Sequence, residues 1–370
     1  MALKFWVTTP FFYSDMDRPW GELLQDMLTI VDTAERLGFE GVAINENVFQ
    51  NYVANPSALA FAALAAARTT RLRILPGVVV LPSYNPLLIA SEMAMLDHLA
   101  PGRVGIGVAR GGGRYQLDRI GVDPAKSREI YEEALEIIQK VWVEDNVTYE
   151  GRYFSFPRTT LVPKPASQPG PDLWVASQSV DGVRKVAAQG HNLLTAPNWG
   201  NFEPHGDLEA LLEAFNTAAA ESGSPRGEVM VYRHTWLGRT ETDALEFFDD
   251  MVSEYNHYLA LTQTVSQGTR EDRLKARGTG EKIEFVEAGR VVPANESPSS
   301  EGLWEKYSDP VLTTADKMIE RFKQMEAMGV DHLACLIAWG QPIEAVVAQM
   351  ELMAEQVLPA FAEDRTPSRV

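Results

Sequence analysis

The sequence predicts an α/β fold, a closed (β/α)8 TIM barrel with a long insertion after the seventh strand. Three observations carry this. Eight short apolar runs alternate with amphipathic segments of helical period. The third run, "RLRILPGVVVLP", is apolar at nearly every position, as a strand covered on both faces must be. The chain has 370 residues, a length such barrels reach as one domain. A doubly wound open sheet is the alternative on the same alternation. No internal repeat of solenoid period is present.

Residues 3–9 form the first predicted strand, and residues 20–37 have helical periodicity that stops at Gly38. The second strand is 42–45. Residues 56–69 are an Ala-rich helix, with Asn55 as cap and Pro56 at its first position. Asn85-Pro86 repeats that start signal for 87–99, "PG" at 101–102 turns the chain, and 103–109 is the fourth strand. Residues 126–142 place Ile130, Ala134, Ile137, Ile138 and Val141 on one face of a helix. "DLWVAS" (172–177), "HNLLTA" (191–196), "EVMVYRHTWLG" (228–238) and "DHLACLIAW" (331–339) are strands five to eight. Helices are predicted at 181–188, 208–221, 241–259 and 314–328, and a last one carries Val346, Met350 and Phe361 on its stripe. Residues 263–307, rich in charge, Gly, Ser and Pro, read as a lid or mobile loop within a single domain spanning 1–370.

Composition narrows the function. The net charge of −18 speaks against a broad nucleic-acid interface, which needs clustered Lys and Arg, and leaves room for local basic spots that hold a small anion. No apolar run approaches the ~18 residues that span a membrane. The single cysteine, Cys335, sits in an apolar strand and reads as a small buried hydrophobe; a reduced, cytoplasmic compartment fits. Six scattered histidines, without HExxH or CxxC spacing, give no support for a metal site. His98 and His332 read as structural. No G-x-S-x-G elbow is present.

In a barrel the chemistry sits at the C-terminal strand ends. There "VAINENVFQN" (42–51) passes abruptly from apolar residues to Asn45, Glu46 and Asn47. The fourth strand ends in Arg110 and Gly111, Gly112 and Gly113, where bare amides and a guanidinium could hold an anion; the same stretch also reads as a flexible turn with a solvated Arg. The dinucleotide fingerprint fails, because its third glycine falls on Arg110. Ser177, Gln178 and Ser179 lead from strand five into a helix, where they could cap it or hold a phosphate. Adjacent strands would bring the two turns together. His234 lies near the rim of strand seven. Trp6, Phe11, Phe12, Trp199, Trp236 and Trp339 lie on or near strand tips, suggesting an aromatic pocket or, alternatively, core and interface.

Taken in order, "ERLGFEGVAINEN", the stretch 68–111, "SREIYEEALEIIQKVW", "YFSFPR", "PDLWVASQS", "MGVDHL" and "MELMAEQVLPAF" resemble the bacterial luciferase-like, flavin-dependent monooxygenases. The resemblance covers most of the chain and implies the barrel and the insertion after strand seven. It implies that Arg110, Gly111, Tyr115, Gln178, Ser179 and Gly182 bind the cofactor FMN, chiefly at its phosphate. It also implies a non-proline cis peptide at Gly77-Val78 against the flavin ring. Glu46 matches the acidic residue of strand two. Asn47 stands where the family usually has a catalytic histidine, and a carboxamide cannot exchange protons as imidazole does. Proton transfer would pass to Glu46, His234, Tyr115 or the substrate.

The implied activity is that of a two-component monooxygenase. A separate flavin reductase supplies reduced FMN (FMNH2), and O2 oxygenates a small, apolar organic substrate through a flavin C4a-peroxide. Two alternatives share the barrel: hydride transfer with the deazaflavin F420, and non-catalytic flavin binding. The family often dimerises through helices near strands two and three, and the small-residue face of 58–67 fits a homodimer.

Overall fold

The computed structural model describes residues 2–13, 18–49, 53–111, 114–196, 208–240, 242–244, 285–287, 290–292 and 311–362. The chain begins with β1 (Lys4–Thr9), α1 (Trp20–Leu37), β2 (Gly41–Ile44) and α2 (Ala58–Arg68). It continues with β3 (Arg73–Val80), α3 (Pro86–Leu99), β4 (Gly105–Ala109), α4 (Arg114–Arg119) and α5 (Ser127–Val143). After β5 (Val147–Glu150) and β6 (Ser155–Thr159) come β7 (Asp172–Ala176), α6 (Val180–Ala188), β8 (Asn192–Thr195), α7 (Leu208–Ser222) and β9 (Val229–Leu237). The last elements are β10 (Phe285–Glu287), β11 (Arg290–Val292), β12 (Val311–Thr313), α8 (Ala315–Ala327), β13 (His332–Leu336) and α9 (Ile343–Gln356).

Eight parallel strands close into a barrel in the order β1-β2-β3-β4-β7-β8-β9-β13, and β13 pairs back to β1 with Val7 opposite Cys335. The open-sheet alternative is thereby excluded. The barrel interior is filled by Trp6, Ala43, Leu75, Trp174, Leu194 and Met230, with Tyr232 above Met230. Alternate residues, such as Val229 and Val231, face the larger core beneath the helices. Gly41 makes room for Trp6, since a Cβ there would stand 2.4 Å from the indole. Trp6 therefore belongs to the packed interior and not to a pocket wall.

A polar chain anchors this interior. Trp6 Nε1 donates to His332 Nδ1 at 2.9 Å, which leaves the His332 proton on Nε2, 3.1 Å from Glu228 Oε2. Lys4 Nζ meets the other Glu228 oxygen at 3.3 Å. The hydrogen bond from His332 is the main reason the Glu228 carboxyl is held down at about 2. His332 is structural, as the sequence suggests. Cys335 is buried in the outer core, where burial pushes its thiol up to about 12.

Several local expectations are corrected. Ser57, not Asn55, caps α2, its hydroxyl accepting from the Ala60 amide at 3.1 Å. Asn55 instead donates to the Asn45 carbonyl at 2.8 Å and accepts the Asn47 amide on its own carbonyl at 3.0 Å. The antiparallel pair β5–β6 is not anticipated by the sequence reading. Its strands lie outside the barrel and carry mostly polar, exposed residues, so hydropathy does not mark them. Glu133 of α5 holds their link by accepting the Tyr153 and Phe154 amides. β12 extends the far end of β9 by parallel pairing. Of the helix expected at 241–259, only 242–244 are described, and they are helical. Of the stretch 263–307, only β10 and β11 are described, and they pair antiparallel.

Candidate active site

A cavity of about 1250 Å³ opens at the C-terminal ends of β2, β3, β4, β7 and β8 and continues outward between α5 and α6. It brings together Glu46, Asn47, Gly77, Val78, Arg110, Gly111, Gln178, Ser179 and Gly182, nearly all of the residues singled out in the sequence. Gly112, Gly113, Trp199 and the side chain of Tyr115 lie outside the described residues. His234 does not line the cavity. Its ring packs on Trp339 at 4.4 Å, and burial, with the charge of Arg233 beside it, pushes its pKa down to about 3. Trp339 stacks on Phe12 at 5.2 Å, and Phe11 packs edge-on against Phe61 at 4.9 Å. Phe11, Phe12 and Trp339 are thus packed away from the cavity, and the aromatic lining found here is Tyr131 and Tyr232.

The candidate anion end is built on the turn from β7 into α6. Ser179 caps α6, accepting the Gly182 amide at 3.3 Å. A Cβ at Gly182 would stand 2.2 Å from the Ser177 hydroxyl and 3.0 Å from that of Ser179, so only glycine leaves this cradle open. Gln178 Nε2 donates to the Ala196 carbonyl at 3.0 Å, tying the turn to the end of β8. Free amides and the positive end of the helix dipole favour a negative group here. Arg110, at the end of β4, and Lys185, one turn into α6, line the same cavity.

The floor is apolar. The Gly77-Val78 peptide bond is cis, the geometry the family resemblance implies. Gly107 lies against it, where a Cβ would stand 3.1 Å from the Gly77 Cα. The Tyr232 hydroxyl is on the other side, 3.2 Å from where a Gly77 Cβ would be.

The third wall is the tip of β2. Glu46 is held at both oxygens: the Ala58 amide donates to Oε2 at 2.8 Å and the Tyr84 hydroxyl to Oε1 at 2.7 Å. Burial raises the Glu46 pKa to about 6; these two hydrogen bonds oppose the rise and the charge of Glu92 adds to it. Asn45 Oδ1 is buried on this wall with no partner among the described residues. Such an atom is costly unless a ligand satisfies it.

The sequence reading misses Tyr84, Tyr131, Arg128 and Lys185. Tyr84 stands just after strand three, where tip position alone could have marked it. Arg128 and Tyr131 lie three positions apart on α5, with Leu135 and Gln139 continuing the same face at intervals of four.

The parts fit a flat heteroaromatic ring with a phosphate tail. The cradle at Gly182 suits an anion, Gly77, Val78 and Val80 give an apolar lining beside it, and the unpartnered Asn45 oxygen could accept from a polar edge. Among the described residues, no group of three or more metal-ligating side chains converges. No described helix is long and apolar enough to cross a membrane.

The chain is 29% identical over 356 residues to the oxygenase component of a flavin-dependent trigonelline monooxygenase of Acinetobacter baylyi, covering 94% of this chain and 92% of that one. It is 28% identical to an F420-dependent glucose-6-phosphate dehydrogenase of Beutenbergia cavernae, covering 90% and 93%. Its fold matches the oxygenating constituent of 3,6-diketocamphane monooxygenase of Pseudomonas putida in complex with FMN. The TM-score is 0.76 at 17% identity, over 98% of this chain and 100% of that one. The profile of the luciferase-like monooxygenases matches residues 3–332, and with a barrel of eight parallel strands and a cavity at its C-terminal mouth the chain belongs to that family.

Proposed function

We propose that the chain is the oxygenase component of a two-component system, which takes reduced FMN from a separate reductase and uses O2 to oxygenate a small organic substrate. One observation carries the reading. A single cavity joins the glycine cradle of α6 to the cis-peptide floor and the carboxamide rim of β2. The relative named as an oxygenase component supports the separate reductase.

In this reading Arg110, Ser179 and the α6 amides hold the FMN phosphate, with Gly111, Gln178 and Gly182 shaping the turn. Gly77 and Val78 support the ring. Asn45 and Asn47 hydrogen-bond the ring edge or a substrate carbonyl. Bound reduced FMN supplies the electrons that activate O2. Glu46, with its pKa near 6, holds or releases a proton beside the ring in place of the absent histidine. The barrel mouth excludes water, and its apolar floor suits an apolar substrate. A homodimer is part of the proposal. Leu64 of α2 and Leu88, Met95 and Leu99 of α3 are large apolar residues left exposed on neighbouring helices.

The test is an anaerobic titration with reduced FMN, followed by mixing with oxygenated buffer while the absorption spectrum is recorded. Saturable binding, then a slow return to oxidised FMN through an absorption distinct from either end state, supports the reading. No binding, or immediate reoxidation at the rate of free FMN, refutes it. The F420-dependent relative favours a second reading, in which the same turn holds a deazaflavin phosphate. Titration with reduced F420 separates the two.

A further inference from the structure

We propose that Tyr84 is a positioning residue of this site: its hydroxyl fixes one carboxylate oxygen of Glu46, so that Glu46 meets the cavity in a single orientation as a proton-exchanging group. The inference rests on the reading of Glu46 given above.

Two elements hold the Glu46 carboxylate from different directions. The first amide of α2 donates to one oxygen and Tyr84, on the turn between β3 and α3, donates to the other. Two fixed donors remove most of the freedom of a side chain with three rotatable bonds. Each carboxylate oxygen accepts two hydrogen bonds, so each keeps one lone pair for a ligand. Tyr84 is itself anchored. Its amide donates to the Leu81 carbonyl at 3.0 Å, and the next residue, Asn85, caps α3 by accepting the Leu87 amide at 2.9 Å. Burial and the neighbouring Glu46 both disfavour the phenolate, so Tyr84 remains a donor across the working pH range.

The groups acting on Glu46 are few. The Ala58 amide of α2 and the Tyr84 hydroxyl favour the carboxylate, while burial and the charge of Glu92 on α3 favour the acid. Asn45 and Asn47, which flank it, carry no charge. Loss of the Tyr84 donor therefore moves the balance toward the protonated acid.

The experiment compares the full-length wild type with Tyr84→Phe, which keeps the ring and deletes one oxygen. Glu46 titration is read directly, as the infrared band of the protonated carboxyl, with the spectrum of Glu46→Gln subtracted. In Tyr84→Phe the midpoint should move up by about one pH unit, the size of one charge-assisted hydrogen bond. Affinity for reduced FMN should stay within about twofold, and the pH profile of FMNH2-dependent oxygen consumption should move in the same direction. In a Glu46→Gln background, Tyr84→Phe should leave the pH profile unmoved. An infrared midpoint unchanged in Tyr84→Phe, or a pH shift that persists without Glu46, overturns the proposal. A wild type that neither binds reduced FMN nor consumes oxygen overturns the functional reading instead. The infrared titration reports on the pair in either case.

Discussion

Glu46→Gln should make the protein more stable at neutral pH while removing the proposed proton-exchanging group. Burial raises the Glu46 pKa from 4.5 to about 6, so the folded chain holds this proton more tightly than the unfolded one. Below the unfolded value both states are protonated and the stabilisation is fully present. It is lost as pH rises through the window from 4.5 to about 6, and above that window the folded state bears the cost of a buried charge. The difference is about 2 kcal/mol between strongly acid and neutral pH, of which about 1.6 kcal/mol lies between about pH 4.5 and about pH 8. Glutamine does not titrate. Its carbonyl can take the Ala58 amide and its NH2 group can donate to the Tyr84 oxygen, so both contacts persist. For a chain of this length the change corresponds to about 2 °C in Tm. Calorimetry of wild type and variant at the two pH values, at equal ionic strength, gives a double difference free of the variant's constant offset. A Tm gap between the proteins that is the same at both pH values would refute the reasoning, because burial would then not govern Glu46.

Gly182→Ala should weaken FMN binding about tenfold by putting a methyl group into the cradle, and Ser177→Ala in that background should restore part of the loss; FMN fluorescence quenching reads both. Arg110→Ala should cost about ten- to a hundredfold in FMN affinity and flatten its salt dependence, as a charge-assisted phosphate contact would. Asn47→His should change turnover while leaving FMN affinity within about twofold; an inert change would separate Asn47 from proton transfer. Met95→Glu, on the exposed face of α3, should shift sedimentation at micromolar concentration from dimer to monomer.

The barrel is legible because each strand and helix is a local pattern, and the order of eight such units leaves few topologies. The anion end is legible for the same reason. Ser177, Gln178, Ser179 and Gly182 are close in sequence, and they make their cradle largely among themselves. The side to which a strand residue points is harder to read. A barrel strand is apolar on both faces, so alternation gives no sign of inside and outside. Trp6 therefore reads equally as pocket or core although it fills the interior against His332, and Tyr232, which does line the cavity, attracts no attention.

Glu46 shows where local reading ends. Asn45, Glu46 and Asn47 stand out because a buried strand does not stop on three polar residues without a use for them. That observation identifies the place but not the chemistry, since carboxylate acidity depends on what surrounds it. The partners of Glu46 come from 12 and 38 positions further along the chain, at the start of α2 and just before α3. Neither has a motif: one is a backbone amide present at every helix start, the other a tyrosine between a serine and a cap. The closed sheet makes them neighbours, because β2 and β3 pair directly and α2 begins beside the tip of β2. A histidine at position 47 would make proton exchange readable from one residue, its own pKa already lying near neutrality. With asparagine there, the proton exchange proposed above rests on a carboxylate raised by burial and steadied by two donors. That environment exists only in the folded chain, which is why the asparagine at position 47 can be seen in the sequence and the surroundings of Glu46 cannot.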